Sequence, residues 1–594
     1  IVFIGYALYA VPFALAMAAL VRQEYQAWVV QALPWTVAAW LFLGAGILIG
    51  AKWAYATLGW GGYWGWDPVE NASLVPWLTG GALMHTLIMQ RERGKMVRTN
   101  VVLATVSFLL VLYATFLTRS GVLTDFSVHS FNDLGMSGIL VLVMAVVALI
   151  ALSLIAARWS AMTKSRNYKE SYERVVSRDF TFMLTATLFA ASAAVTILGT
   201  SAPILTGLTG NPSSVGTSFY NITNAPIGFA LALVMAVCPH LAWTGASVAR
   251  LARSIAAPTA FGLVATVAAA MAGARGIWFQ LFLFASFSAL AGNVLVAVKR
   301  FRGGIRKMGG WVAHVGVAFI LLGIIATSAY STTRQVELAI GQEQEVLGWS
   351  IKYAAREAVE GIDATAPPTG WRLELSRAGS SRVRTATPYV RPTRQGMLRH
   401  PAIVSMLAHD LYISPLDEQT GDGTSGAAHT HQHVLAKGQS VEEGNLRVEF
   451  VAFDMSQHMG EGIMVVGATL KLTDVASGAE LGVVTPLLGF TSSGKVQEDA
   501  YFDASGVRMG FSLTAIDAGA GLAQVLITTD AGDTGGTGGT GETDGFASSG
   551  SVLLEVSNKP FASLLWIGSV LLLLGAAIAV VRRAQEAAAL DRQR

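Results

Sequence analysis

WAYATLGWGGYWGWDPVEN, residues 53–71, is the stretch that decides what kind of molecule this chain makes. It gathers four of the fifteen tryptophans and two tyrosines between two apolar segments, each long enough to cross a bilayer. Trp and Tyr carry large apolar faces with one polar tip, so they collect where membrane meets water or where a flat hydrophobic molecule is gripped. An interfacial aromatic belt explains the aromatics. It does not explain glycines at 59, 61, 62 and 65, which let a backbone turn tightly and approach a bound group, nor Asp67 and Glu70 just after them.

Outward from this loop the chain is apolar, with 53% hydrophobic and only 13% charged residues and a mean hydropathy of +0.51. Those values belong to integral membrane proteins. Eleven stretches approach the ~20 residues that span hydrocarbon: 1–20, 35–54, 71–89, 99–117, 136–157, 180–199, 225–247, 256–272, 277–298, 310–330 and 561–581. The pattern predicts a polytopic α-helical membrane protein with about eleven helices in this sequence. Residue 1 is Ile inside an apolar run with no initiator Met, so an N-terminal part is expected upstream.

Basic residues assign the sides. Alternate loops at 22–34, 90–98, 158–178, 250–255, 299–307 and the tail from 582 hold 22 of the 41 Lys and Arg, whereas 118–135, 200–224 and 273–276 hold only Arg119 and Arg275. The positive-inside rule then puts the Trp-rich loop, the His129 loop and the segment after 330 outside the cytoplasm. The net charge of +3 is this topology signal and gives no reason to expect nucleic acid, since no basic patch with interleaved aromatics appears.

Three parts are expected: a helical bundle over 1–330 that includes the loops 53–71 and 118–135, an extracytoplasmic β-rich domain over 331–560, and a last membrane helix with a cytoplasmic tail over 561–594. In the second part the apolar runs shorten and alternate, as in LRVEFVAF (446–453), IMVVGATLKL (463–472), AQVLITT (523–529) and SVLLEVS (551–557), between Gly, Asp and Ser turns. This is the pattern of a β-sandwich or small barrel. DAGDTGGTGGTGETDG (530–545) is a low-complexity linker.

The lone cysteine, Cys238, excludes an internal disulfide and a C-x-x-C redox pair, so thiol chemistry has to use a partner's sulfur. Thiolate iron–sulfur sites are excluded with it. Metal ligands therefore come from the ten histidines. His85 and His314 each sit a few residues from a cytoplasmic loop, which at about 1.5 Å per residue places both roughly 6–9 Å into the membrane. A single intramembrane histidine is an ordinary packing residue, but two at matched depth on different helices are how a bundle holds a b-type haem. His129 lies on the outer loop TRSGVLTDFSVHSF, on the same side as the tryptophans. It reads either as a loop residue or as the ligand of something lying on those aromatics. His240 follows Pro239 and fits a kink, and His429, His431 and His433 fit either a solvated loop or a metal-binding extended strand.

These residues resemble a known family. WGGYWGWDPVENASLVPWL resembles the WWD signature of haem-handling proteins, and the chain as a whole resembles the CcmF family of bacterial cytochrome c maturation. The likeness continues through GALMHTL (81–87), LYATFLTRSGVLTDFSVHSF (112–131), GGWVAHVGVAF (309–319), HDLYIS (409–414) and KPFASLLWIGSVLLLLG (559–575). The resemblance implies a plasma-membrane haem lyase that joins haem vinyl groups to the C-x-x-C-H cysteines of apocytochrome c. It implies a haem b between His85 and His314. It also implies a substrate haem on the outer face, with His129 as iron ligand and Trp60, Tyr63, Trp64 and Trp66 as the apolar platform. Asp67 is implied as a loop-orienting or haem-contacting carboxylate. The family's earlier outer histidine belongs to an H-P-P ahead of GYALYAVPF (5–13), before the sequence begins. Implied partners are apocytochrome c, the haem chaperone CcmE, a CcmH-type thiol-holding subunit and quinol as electron source, although no quinone motif is recognisable. A haem transporter or exporter is the competing class, and no inverted repeat of the transporter kind is visible.

Overall fold

A computed structural model describes residues 1–59, 62–123, 127, 135–164, 174–210, 213–359, 368–377, 382–393, 396–419, 429–443, 446–454, 464–475, 477–491, 494–504, 507–517, 522–530 and 551–592. The helices are α1 (Val2–Arg22), α2 (Trp28–Thr57), α3 (Pro68–Arg93), α4 (Val97–Arg119), α5 (Ser137–Arg158), α6 (Arg178–Thr200), the short α7 (Ala202–Gly207), α8 (Thr217–Val237), α9 (Val248–Met271), α10 (Ile277–Phe301), α11 (Gly309–Ala329) and α12 (Ala562–Asp591). Among the described residues, eleven are long and apolar enough to cross a membrane, as the hydropathy predicted, and the chain is a multi-pass membrane protein. Starts are where expectation and structure part. Helix α2 begins at Trp28 and runs through Pro34, and α8 and α9 each begin about two turns before the apolar run does. In a bilayer, neighbouring helices resatisfy the backbone that an internal proline frees.

Helices α11 and α12 pair through a seam of glycines. Gly309, Gly316 and Gly323 recur every seven residues on one side, Gly568 and Gly575 on the other. A Cβ built at Gly316 would lie 2.6 Å from Gly568 O, and one at Gly323 2.6 Å from Leu565 N. Only glycine permits backbones that close, which is how membrane helices associate when no hydrophobic force separates lipid from protein. Helices α2 and α3 are locked by a reciprocal indole pair: Trp40 Nε1–H donates to Trp77 O and Trp77 Nε1–H to Trp40 O, both at 3.1 Å, with rings stacked at 4.7 Å.

Between α11 and α12, twenty strands lie among the described residues. In order they are β1 (Thr332–Ala339), β2 (Glu343–Val346), β3 (Trp349–Ala358), β4 (Thr369–Arg377), β5 (Val383–Ala386), β6 (Tyr389–Thr393), β7 (Gly396–His400), β8 (Ala402–Ser405), β9 (His409–Gln419) and β10 (His429–Ala436). They continue as β11 (Ser440–Glu443), β12 (Leu446–Asp454), β13 (Met464–Asp474), β14 (Glu480–Val484), β15 (Leu487–Thr491), β16 (Gly494–Glu498), β17 (Ala500–Ala504), β18 (Val507–Asp517), β19 (Leu522–Asp530) and β20 (Ser551–Pro560). The runs LRVEFVAF, IMVVGATLKL, AQVLITT and SVLLEVS fall on β12, β13, β19 and β20; the low-complexity segment 530–545 lies, beyond Asp530, outside the described residues.

The chain forms two compact units, Ile1–Gln419 with Gly550–Arg594, and Thr420–Ser549. The boundary falls inside the β-rich stretch, so strands β1–β9 and β20 cluster with the helices. In the first unit the sheets β1-β20-β9-β8 and β2-β3-β4-β6-β7, with β5 on β4, enclose a core that includes Trp349, Tyr353, Trp371, Leu411 and Val556. In the second, the sheets β10-β19-β18-β17 and β11-β12-β13-β15-β16, with β14 on β13, enclose Leu446, Phe450, Leu470, Phe511 and Val525.

The two strand orders are the same. Reading β1–β9 and β20 against β10–β18 and β19, every pairing in one sandwich has its counterpart in the other. The agreement extends to single bonds. The hairpins L-A-I-G-Q (338–342) and L-A-K-G-Q (435–439) both place glycine at φ 82°. Gly341 N–H donates to Tyr353 O at 2.7 Å and Gly438 N–H to Phe450 O at 2.7 Å. Gln342 Oε1 accepts from Ala339 N–H at 2.9 Å and Gln439 Oε1 from Ala436 N–H at 3.0 Å. Each third strand then bulges at the next step, between Tyr353 and Ala355 in one and between Phe450 and Ala452 in the other.

Candidate functional site

The Trp-rich loop is held at its end by the start of α3. Asp67 is the N-cap: its carboxylate accepts from Val69 N–H at 2.8 Å, Pro68 follows at N1, and Glu70 accepts from Gly65 N–H at 2.9 Å and Asp67 N–H at 3.3 Å. This capping box satisfies donors that a helix start leaves orphaned, and it commits both acidic side chains to the loop's own backbone. Ser127, from the loop after α4, also donates to Asp67 at 2.8 Å.

Just before the cap, Trp66 has a left-handed backbone, φ 55°. For a bulky residue that geometry costs on the order of 1–3 kcal/mol and persists only where the surroundings enforce it. Three contacts enforce it here: Trp66 O accepts from Asn71 Nδ2–H at 3.0 Å, its indole N–H donates to Asn221 Oδ1 at 2.9 Å, and its ring stacks on Tyr220 at 5.0 Å and 6°. Trp64 stands edge-on to Trp66 at 6.0 Å. Tyr63 is held elsewhere, its hydroxyl 3.1 Å from Thr327 Oγ1 on α11 and its ring edge-on to Trp566 on α12. Burial pushes the Tyr63 hydroxyl above its ordinary pKa, against the pull of hydrogen bonds to Thr327 and Ser328. A cavity of about 260 Å³ opens beside Trp66, lined by Gly65, Pro68, Gly199, Thr200 and Tyr220 among others. Trp60 and His129 lie outside the described residues.

The two intramembrane histidines come together. His85 on α3 and His314 on α11 have ring centroids 6.1 Å apart and ring planes at 88°. Each donates Nδ1–H to the carbonyl four residues back in its own helix, His85 to Gly81 O at 2.7 Å and His314 to Gly310 O at 2.5 Å. A carbonyl only accepts, so both rings are fixed with Nδ1 protonated and the Nε2 lone pair available. That is the arrangement by which an outer partner orients a metal-ligating imidazole. Two imidazoles sharing one metal at bonds of about 2 Å would have centroids about 6 Å apart, so the donor set and its spacing fit a bis-histidine iron. Phe182 and Phe189 of α6 and Trp311 of α11 pack around the pair, giving it the apolar wall a porphyrin needs.

The remaining histidines separate. His240 ends the turn after α8, beside Gly292. His433 meets Glu443 at 2.5 Å, and the side chains of His429 and His431 lie outside the described residues. Tyr220 and Asn221, which hold Trp66, carry no sequence signal, since they lie in the polar first turns of α8, Asn221 being 155 residues from Trp66. The α11–α12 glycines were visible as residues; their seven-residue spacing was the available signal.

Comparison with known proteins follows the same lines. The family model described as Cytochrome C assembly protein matches residues 1–123. The Cytochrome c-type biogenesis protein CcmF of Pseudomonas fluorescens is 33% identical over 71% of this chain and 64% of its own length, so the chain spans a little under two thirds of that relative. The Cytochrome c-type biogenesis protein CycK of Bradyrhizobium diazoefficiens is 30% identical over 73% of this chain and 67% of its own. A solved structure, the Cytochrome c Heme Lyase CcmF, superposes with a TM-score of 0.58 at 20% identity, covering 97% of this chain and 70% of that one, and so shares its fold. With a relative 30% identical and matched over two thirds of its own length, and eleven membrane-length helices with a β-rich segment before α12 as in the superposed fold, the chain belongs to the CcmF/CycK family of cytochrome c-type biogenesis proteins.

Proposed function

We propose that this chain is a haem lyase of cytochrome c maturation, resident in the bacterial plasma membrane with the Trp-rich loop and the strands on the outer face. The observation that carries the reading is the His85–His314 pair, 6.1 Å apart and tautomerically fixed, in a bundle whose relatives are named for cytochrome c biogenesis. His85 and His314 would hold a haem b, which when bound supplies one electron at a time and so would keep the iron of the substrate haem reduced. Substrate haem would lie on Trp60, Trp64 and Trp66, with His129 on its iron and Tyr63 and Asp67 shaping the loop.

The reaction adds each cysteine thiol of a C-x-x-C-H segment across a haem vinyl group. Sulfur bonds to the vinyl carbon next to the ring, the thiol proton ends on the terminal carbon, and the vinyl double bond becomes single, with no net change in electrons. The thiols are the apocytochrome's, in accord with the lone Cys238 here. The protein's task is then positioning, which can contribute up to roughly 7–11 kcal/mol to a bimolecular step. The stacked and hydrogen-bonded Trp66 supports such a role. A haem chaperone of the CcmE kind, a CcmH-type subunit and quinol are the partners this scheme requires for haem, thiol and electron delivery.

Visible spectra of the purified full-length protein test the scheme. A six-coordinate b-type spectrum should survive His129→Ala and vanish in His85→Ala or His314→Ala, while all three variants fail to attach haem covalently to co-expressed apocytochrome. Loss of all haem on His129→Ala, with His314→Ala unaffected, would overturn it.

A further inference from the structure

Two carbonyls at the end of α2 start the Trp-rich loop, and both are held by one strand of the first sandwich. Leu58 caps the helix with an extended backbone, φ −96° and ψ 126°. Its carbonyl accepts from the Tyr412 hydroxyl at 2.6 Å, and Gly59 O accepts from the Ser414 hydroxyl at 2.7 Å. Carbonyls at a helix C-terminus have no partner within the helix and must find one outside. Residues 412 and 414 supply it because side chains two apart on a strand share a face. Both are fully buried, at 0% exposure. Two further contacts fix the strand against the helix. The Tyr55 hydroxyl donates to the buried Asp410 carboxylate at 2.9 Å, and the Tyr55 and Tyr412 rings lie 5.5 Å apart. Gly59 has no room for a side chain, since a Cβ there would lie 2.6 Å from Arg399 Cβ and 2.7 Å from Ser414 Oγ.

The second sandwich provides a comparison within the same molecule. Strand β18 holds the place of β9, and aligning the core-facing pairs Leu411 and Ile413 with Met509 and Phe511 sets Asp410, Tyr412 and Ser414 against Arg508, Gly510 and Ser512. The fold has been kept, while the aspartate and the tyrosine have not. Two of the three residues on the loop-facing side of β9, Asp410 and Tyr412, thus differ between the copies, while the serine is common to both and is tied to the loop by its bond to Gly59 O.

We infer that Tyr412 and Ser414 are positioning residues for the Trp-rich loop. They fix its first two carbonyls, so that the aromatics after Gly59 start from a set point for haem, and the second sandwich is a duplicate of the first without that duty. The haem clause rests on the lyase reading above; the loop clause does not.

The test uses the full-length protein labelled with 5-fluorotryptophan, the Trp64 and Trp66 resonances being assigned by their loss in Trp64→Phe and Trp66→Phe. Tyr412→Phe and Ser414→Ala each delete one hydroxyl, Ser512→Ala is the matched control in the duplicate, and the resident haem spectrum reports that the bundle is intact. The expected result is shifted Trp64 and Trp66 resonances and an approximately threefold to tenfold weaker uptake of added haem in the 412 and 414 variants, the scale of one hydrogen bond, with Ser512→Ala unchanged. Unmoved resonances overturn the inference. Moved resonances with unchanged haem uptake overturn its haem clause. An unsubstituted protein that takes up no second haem sinks the lyase reading and the haem clause with it, while the resonances still decide whether β9 holds the loop.

Discussion

Gly316→Ala should empty the His85–His314 site although residue 316 touches neither imidazole. A Cβ at 316 would meet Gly568 O at 2.6 Å and Leu572 Cα at 2.9 Å, backbone atoms that cannot rotate away. Ordinary contact needs about 3.4 Å or more, and Leu572 N would lie closer still than Gly568 O, so α11 and α12 must part by at least about 0.8 Å. His314 precedes Gly316 by two residues, which at 3.6 residues per turn puts it about 200° round the helix. Moving α11 off α12 therefore pushes His314 toward His85. The centroid separation would fall from 6.1 Å to nearer 5 Å, short of the about 6 Å that two imidazoles need on one metal. Overpacking of this kind also costs about 1–3 kcal/mol of stability. Gly310→Ala is the control, because a Cβ there meets open space. The assay is haem per protein by pyridine haemochrome, together with the low-spin visible bands of the purified full-length protein. If Gly316→Ala retained the stoichiometry and spectrum of Gly310→Ala, the reasoning that the glycine seam sets the histidine spacing would be refuted.

The buried Asp179 lies 2.6 Å from Lys95 and 3.6 Å from Arg93, so Asp179→Asn should cost about 3–5 kcal/mol by stranding the lysine, and Lys95→Met with Asp179→Leu should recover much of it in thermal unfolding. Tyr220→Leu removes the stack under Trp66 and, on the lyase reading, should weaken uptake of added haem about twofold to tenfold; Tyr220→Phe keeps the stack but loses the hydroxyl's bonds to Thr200 and Asn71 and should fall between, with any haem spectrum at His85 and His314 unchanged in both. His400, stacked on Tyr389 with its Nε2 buried and unpaired, is held below the ordinary imidazole value by burial and then by Arg391. The unfolded chain therefore binds its proton first as pH falls. Stability contributed above about pH 6.5 should be lost below it, and His400→Phe should flatten the melting temperature between pH 7.5 and 5.

What the sequence disclosed was what depends on composition and period. Membrane helices are set by apolar length, so all eleven were legible. The starts of α8 and α9 were not, because their first turns, TSFYNITN and VARLARSI, are polar enough to leave the hydropathy window. The Trp-rich loop and the matched depth of His85 and His314 were legible from residue type and charge topology. Which way each aromatic points was not: Tyr63 and Trp66 sit three residues apart and are held by different helices. The partners that do this, Thr327, Tyr220 and Asn221, are remote in sequence and ordinary in type. The duplication escaped because the copies share a short hairpin motif and little else, and a sandwich core accepts many apolar sequences of the right pattern.

The insertion of one sandwich into the other also orders events during synthesis. Strands β10 to β19 are contiguous, so the second sandwich has its last strand once Asp530 has been made. The first must wait for β20, which pairs Val552 with Leu338 on one side and with Glu418 on the other. Until then β1 and β9 stand without the strand that joins them, with their edges open to wrong partners. The copy with every strand in one run can close early, whereas the copy that holds the Trp-rich loop closes only once β20, directly ahead of α12, emerges. Assembly of the loop's support is thereby tied to synthesis of the strand that leads into α12.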